Sequence, residues 1–366
     1  MTAPRRHMRF AVPARCLATA LCVVALAADA AAQTGPNPFP EPIQSAPPPA
    51  AKAKPAVKPA PKPSPKKETA KPAPATQTKT APAPQAPDNP NADLAYGAYQ
   101  QGLYRTAFNI AMKRAQEGDP KSMTLLGELY SNALGIKRDD VNAAQWYKQA
   151  ADRGDREAMF ALGMMKIGGR PPPVNREEGA RLLASAAKLG KPAAAYNLGL
   201  LYLEGQIFPQ DLKRAAELFR QAADAGNPEA QYALATFYKE GRGVEKNPSE
   251  AARLMRAAAM VDNLDAEVEY AIALFNGNGT PKDVATALAL LNRAARQNSP
   301  IAQNRLARAL IDGLGTPVDK VQGFKWHLIA KTAGNGDPDL DAQFAQLPPI
   351  EKAKAEDLAK KWFGTK

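Results

Sequence analysis

The sequence predicts an all-α protein: an α/α superhelical solenoid of 36-residue helix-turn-helix repeats, preceded by a disordered Pro/Lys/Ala-rich segment. Three observations predict it. Gly118, Gly154, Gly190 and Gly226 stand 36 residues apart, and the register runs on through Asp262 and Asn298 to Gly334. Each interval carries two apolar stripes with helical spacing. No strand-like run is visible. A fixed period between about 20 and 50 residues marks a repeat architecture in which each unit buries its face against its neighbours.

Residues 1–32 read as an export signal. Arg5, Arg6, Arg9 and Arg15 form a basic start, Cys16–Ala28 is an apolar run of 13 residues, and Ala30-Ala31-Ala32 offers small residues before Gln33. The run is short for a spanning helix, which needs about 20 apolar residues. Cleavage near Gln33 gives a periplasmic or secreted protein. The alternative is an inner-membrane anchor with the chain facing the periplasm.

Residues 33–91 hold 18 prolines, eight lysines, three acids and a single aromatic residue, Phe39. Such a composition cannot bury enough apolar surface to offset its chain entropy, so this segment is expected to be a disordered tether. One alternative role is contact with a cell wall or membrane surface through its lysines.

The net charge of +12 is unevenly placed. The signal contributes +3 and the tether +5, which leaves +4 for Ala92–Lys366, where 36 basic residues face 32 acidic ones. A nucleic-acid interface needs a basic stripe on the folded part, and none is evident, so nucleic acid is not an expected partner.

Residues 92–334 form the repeats. In the first helix of one unit, Ala230, Leu234, Ala235 and Tyr238 share a face; Ala194, Leu198, Gly199 and Tyr202 repeat it one unit earlier. In the second helix the set is Ala251, Leu254, Met255, Ala258 and Ala259. One first-helix column, Gly127, Gly163, Gly199, Ala235, Ala271, Ala307, never exceeds alanine. Missing side chains there predict close helix packing. Asn227-Pro228 and Ser299-Pro300 read as N-caps followed by proline, and Gly241-x-Gly243 and Gly277-x-Gly279 as helix stops.

The run A-x-x-x-L-G-x-x-Y…G-x-G…A-A-x-L…A-A-x-x-G resembles the Sel-one-like repeat, a subfamily of the tetratricopeptide repeats. The likeness covers Asp119–Gly334 as six units, with a shorter pair at Asp93–Gly118 before them. Unit three departs in its loop, Gly168–Pro173, and unit six places Ala271 and Leu274 in the Gly and Tyr columns. The resemblance implies a superhelix that scaffolds protein complexes, and bacterial members that are exported and linked to the envelope.

Residues 335–366 read as two further helices split by Pro348-Pro349, either a polar-faced cap or a partner-binding amphipathic element.

After signal removal the chain has no cysteine and a single histidine, His327. That excludes thiol chemistry, disulfides and histidine-pair metal sites. His327 sits in a column that otherwise reads Tyr147, Leu183, Phe219, Met255 and Leu291, so a packing role is expected. The Gly-x-Gly loops follow helices, whereas a dinucleotide fingerprint follows a strand. Neither a cofactor nor a catalytic residue is expected. A carboxylate-dependent peptidoglycan hydrolase and a wall-binding protein acting through the tether are the competing functions.

The resemblance also implies a binding face. In tetratricopeptide folds the first helix of each unit lines the concave groove. Carried over, this picks Phe160, Met164 and Ile167; Tyr196, Leu200 and Leu203; Tyr232, Thr236 and Lys239; and Val268, Ile272 and Phe275. Two readings stand: an open apolar groove for a peptide or helix of a protein partner, or a stripe buried between adjacent helices.

Overall fold

The computed structural model describes residues 93–364; the signal and the tether lie outside them. Sixteen helices and no strand are found among the described residues. A short helix comes first, α1 (Leu94–Gln100), followed by α2 (Tyr104–Gln116), which is as long as the repeat helices. Six pairs follow in the 36-residue register: α3 (Pro120–Ser131) with α4 (Asp140–Ala151), α5 (Arg156–Ile167) with α6 (Arg176–Lys188), and α7 (Pro192–Glu204) with α8 (Leu212–Asp224). The next three are α9 (Pro228–Glu240) with α10 (Pro248–Ala259), α11 (Leu264–Asn276) with α12 (Val284–Arg296), and α13 (Pro300–Asp312) with α14 (Lys320–Thr332). Helices α15 (Pro338–Ala345) and α16 (Pro349–Gly364) close the chain. Each helix packs on its neighbours in sequence until the end, where α16 folds back onto α14.

The expected caps form: the Asn227 side chain accepts from the Ala230 N–H at 2.7 Å, and Ser299 from that of Ala302. The structure adds a second set that the sequence pattern did not single out. Asp139, Asn175, Asp211, Asn247, Asp283 and Asp319 cap the second helices, one per repeat in strict register. Each such cap contributes about 1 kcal/mol. The N–H of each also donates to a carbonyl of the preceding helix, at Tyr130, Lys166, Tyr202, Tyr238, Leu274 and Leu310. Those acceptors are the tyrosine column. The bond uses the backbone alone, so lysine and leucine in that column leave the loop anchored.

The register glycines end the second helices in the left-handed conformation. Asp262 (φ 63°) and Asn298 (φ 67°) keep it without glycine; aspartate and asparagine tolerate that region better than other non-glycine residues.

The Gly/Ala column lies where the two helices of a unit touch, and its residue tracks its partner. A Cβ on Gly127 would stand 2.6 Å from the Tyr147 ring, and one on Gly199 2.7 Å from the Phe219 ring. Both partners belong to the His327 column. Where that column carries Met255, Leu291 or His327, the facing residue is Ala235, Ala271 or Ala307, each fully buried. Gly163 faces Leu183 and a second glycine: its Cβ would meet the Gly179 carbonyl oxygen at 3.0 Å, and a Cβ on Gly179 would meet the Gly163 oxygen at 2.7 Å. Glycine therefore appears where an aromatic ring or a close backbone occupies the space of a methyl group. Its propensity cost of about 1 kcal/mol against alanine is offset by that packing.

Candidate partner-binding face

The candidate face is carried by α5, α7, α9 and α11. Ten of its twelve residues are half-buried, Lys239 is exposed, and Val268 is 3% exposed and belongs to the core. Phe160, Met164, Ile167, Tyr196, Leu200 and Leu203 lean on the core that runs from α6 to α10. Ile272 leans on the next core along, which holds Val268. These side chains are thus a partly covered wall: one side packs inward while an edge remains accessible.

The wall is fixed from behind. The Tyr196 ring lies 5.7 Å from that of Phe219, and burial raises the affinity of the Tyr196 hydroxyl for its proton, helped by the charge of Glu229. Thr236 Oγ1 donates to the Tyr232 carbonyl at 3.1 Å, which ties its hydroxyl to its own helix. Neighbouring first helices are tied across the face by ion pairs. Lys239 Nζ meets Glu269 Oε2 at 2.8 Å, and Lys191, which pairs with Glu157, also lies over the Phe160 ring at 5.5 Å. Glu157 and Glu269 are additions by the structure; polar residues scattered along a helix give no sign in sequence of which pair will meet.

Toward the N-terminal end the same face turns polar. Tyr99 of α1 donates its hydroxyl hydrogen to Glu128 Oε1 at 2.7 Å. Burial lifts the Glu128 carboxyl above its ordinary range; the Tyr99 bond works against that, and the charge of Glu157 adds to it.

His327 is buried completely, with Nε2 2.8 Å from Asp341 Oδ1, and Lys331 Nζ shares that same oxygen at 2.8 Å. The imidazole is a packed side chain anchored through Asp341, as its column implied. No cluster of metal-ligating residues occurs among the described residues, and no helix there is long and apolar enough to cross a membrane.

Helix pairs stacked at one 36-residue register define an α-solenoid repeat protein of the tetratricopeptide-like class. The family model named Sel1 repeat matches residues 120–155, 156–191, 192–227, 228–263, 264–299 and 300–335, and the chain belongs to the Sel1 repeat family. Proteins of this family generally mediate protein–protein interactions. Among solved structures, the chain is similar to a Sel1 repeat protein from Oxalobacter formigenes, with 28% identity over 65% of this chain and 98% of that one, and a TM-score of 0.59. It is also similar to c5321, a protective antigen of uropathogenic Escherichia coli strains with the same type of fold. That likeness has 26% identity, covers 71% of this chain and 64% of that one, and has a TM-score of 0.52. No curated protein matches the chain.

Proposed function

We propose that this protein is an exported, non-catalytic scaffold of the bacterial envelope that holds a protein partner on the first-helix face from α5 to α11. The observation that carries the proposal is the run of half-buried apolar side chains on α5 and α7 with ion-paired polar residues beside it. Such a surface matches the apolar side of a peptide or helix, while the paired charges set its register. The basic start and apolar run of residues 1–32 support the reading of an exported protein, and on that reading the lysine- and proline-rich segment spaces the solenoid from the membrane or wall.

The test is a crosslinked pull-down from cells with the natural full chain and with Tyr196→Ser combined with Leu200→Ser. The proposal expects the variant to fold, by circular dichroism and melting temperature, and to lose its crosslinked partner. A folded variant with undiminished capture removes the face from the site. Capture that depends on residues 33–91 and not on the solenoid transfers the function to the tether and the wall.

A further inference from the structure

A second surface lies at the other end of the solenoid, on helices that the face above does not use. A cavity of about 620 Å³ opens between α12, α13, α14 and α16. Its floor is apolar, with Leu306 and Trp326 buried and Leu310 half-buried. The Trp326 and Trp362 rings meet edge to face at 5.1 Å. Lys325 lies against both, its Nζ 4.2 Å from the Trp326 centroid and 5.3 Å from that of Trp362. Arg296 lines the same cavity, together with the amides Asn292 and Gln322.

The charges are one-sided. Two cations line this cavity, and its lining contains no carboxylate. Nor does either cation stand among the ion pairs of the described residues, whereas Arg293, Arg308 and Lys331 on the same repeats each pair with an acid. Burial, and then the charge of Arg296, weakens the hold of Lys325 on its proton. The indoles stabilise the ammonium in part. The repulsion between the two cations has no internal counterpart, so it is relieved by an anion placed between them.

The shape says which kind. The cavity continues into a second depression of about 590 Å³ through the shared residues Leu310 and Thr316; Pro317, Val318 and Val321 line that extension together with Asp319, Lys320 and Glu351. A trough with a cationic, indole-walled end and a mixed continuation, apolar at Pro317, Val318 and Val321 and charged at Asp319, Lys320 and Glu351, matches an extended chain better than a compact metabolite. Both flanks of this chain are basic, the tether by eight lysines against three acids and the C-terminus at Lys360, Lys361 and Lys366. The complementary partner is therefore another protein.

We infer that the trough between α12, α13, α14 and α16 binds a linear peptide segment of a partner protein that carries an aspartate or glutamate beside a large apolar residue. The carboxylate sits between Arg296 and Lys325, and the apolar side chain lies on Leu306, Leu310 and Trp326. The inference rests on the scaffold reading of the chain and adds a second site to it.

The probe is a phage-displayed library of random linear peptides, selected on the full chain. The expected result is enrichment of sequences with an acid next to a large apolar residue. A synthesised winner should quench tryptophan fluorescence and lose about tenfold or more in affinity for Arg296→Gln combined with Lys325→Gln, the size of one charge-assisted hydrogen bond. Its glutamine-for-acid version should lose as much. Arg296 is exposed and Lys325 half-buried, with no ion pair to lose at either, so the double variant should melt close to the natural chain; if it does not, Lys325→Met and Arg296→Gln are read singly. Enrichment of acid-free sequences, absence of enrichment, or winners indifferent to Arg296 and Lys325 overturns the inference. Winners that are lost only by the Tyr196→Ser, Leu200→Ser variant overturn it and leave the scaffold reading intact, whereas failure of the cellular pull-down bears on that reading alone.

Discussion

The pairing of glycine with an aromatic ring makes a test that a generic packing argument would not. In Gly199→Ala the new carbon would stand 2.7 and 2.9 Å from Phe219 Cε1 and Cδ1. Comfortable carbon contacts lie at about 3.5–4.0 Å, so the ring must retreat by roughly 1 Å. It has little room: Phe219 is 0% exposed, with Tyr196 at 5.7 Å and Phe237 edge-on at 5.3 Å. Overpacking of this kind costs about 1–3 kcal/mol, against a helix-propensity gain of about 1 kcal/mol for alanine over glycine. Gly199→Ala should therefore lose up to about 2 kcal/mol, and Gly199→Leu, with a branched chain in the same space, should reach the top of the overpacking range or beyond. Phe219→Met restores the combination this chain already uses at Ala235 and Met255. The double variant Gly199→Ala with Phe219→Met should be more stable than the sum of its single changes by about 1–2 kcal/mol, the scale of coupling between residues in contact. Urea unfolding of the four proteins, read at the midpoint with an unchanged slope, measures it. Strict additivity, or a Gly199→Leu protein with the natural melting temperature, would refute the contact argument.

Further expectations rest on single features. Glu267 is 2% exposed and its Oε1 takes a 2.8 Å bond from Arg293 Nε; Arg293→Met should cost about 1–3 kcal/mol in chemical denaturation, more than Glu267→Gln combined with it, because the single change strands a buried charge. Asn227→Ala should cost about 1 kcal/mol by the same assay, through the lost cap on α9. Glu128 carries a raised pKa in the folded chain, so the folded state holds its proton where the unfolded state has lost it. Its contribution to stability is complete below the unfolded value and disappears as pH rises through the folded one. Melting temperatures from just below to just above the ordinary carboxylate range should fall less steeply for Glu128→Gln than for the natural chain, and parallel curves would count against the burial of this carboxyl. Finally, N-terminal sequencing of protein purified from cells should begin near Gln33; an intact Met1 in a soluble cytoplasmic fraction would end the export proposal.

The repeat register, the helical class and the family were legible before any coordinates, because a solenoid is built from near-neighbour contacts. Each column needs only a residue type at one phase of a helix, and six copies average away the local exceptions. The Gly/Ala column and the packing role of His327 were legible for the same reason. The Asp and Asn caps of the second helices stand in the same register but are not legible in it, since aspartate and asparagine in a polar loop carry no apolar signal. The tyrosine column has the spacing of a packing stripe, yet Tyr238 is half-buried while Phe237 beside it is 3% exposed, and the column's constant task is a backbone bond. What only the tertiary structure decided concerns surfaces. How much of Tyr196 or Leu200 reaches solvent depends on how closely neighbouring first helices approach, and Val268 lies in the core for that reason. That Arg296 and Lys325 share one trough follows from the stacking of α12, α13 and α14, and its second indole wall from α16 folding back onto α14. Periodicity in the chain records which face of a helix turns inward; the distance between two faces, and the charge left uncompensated between them, exist only once the helices are packed.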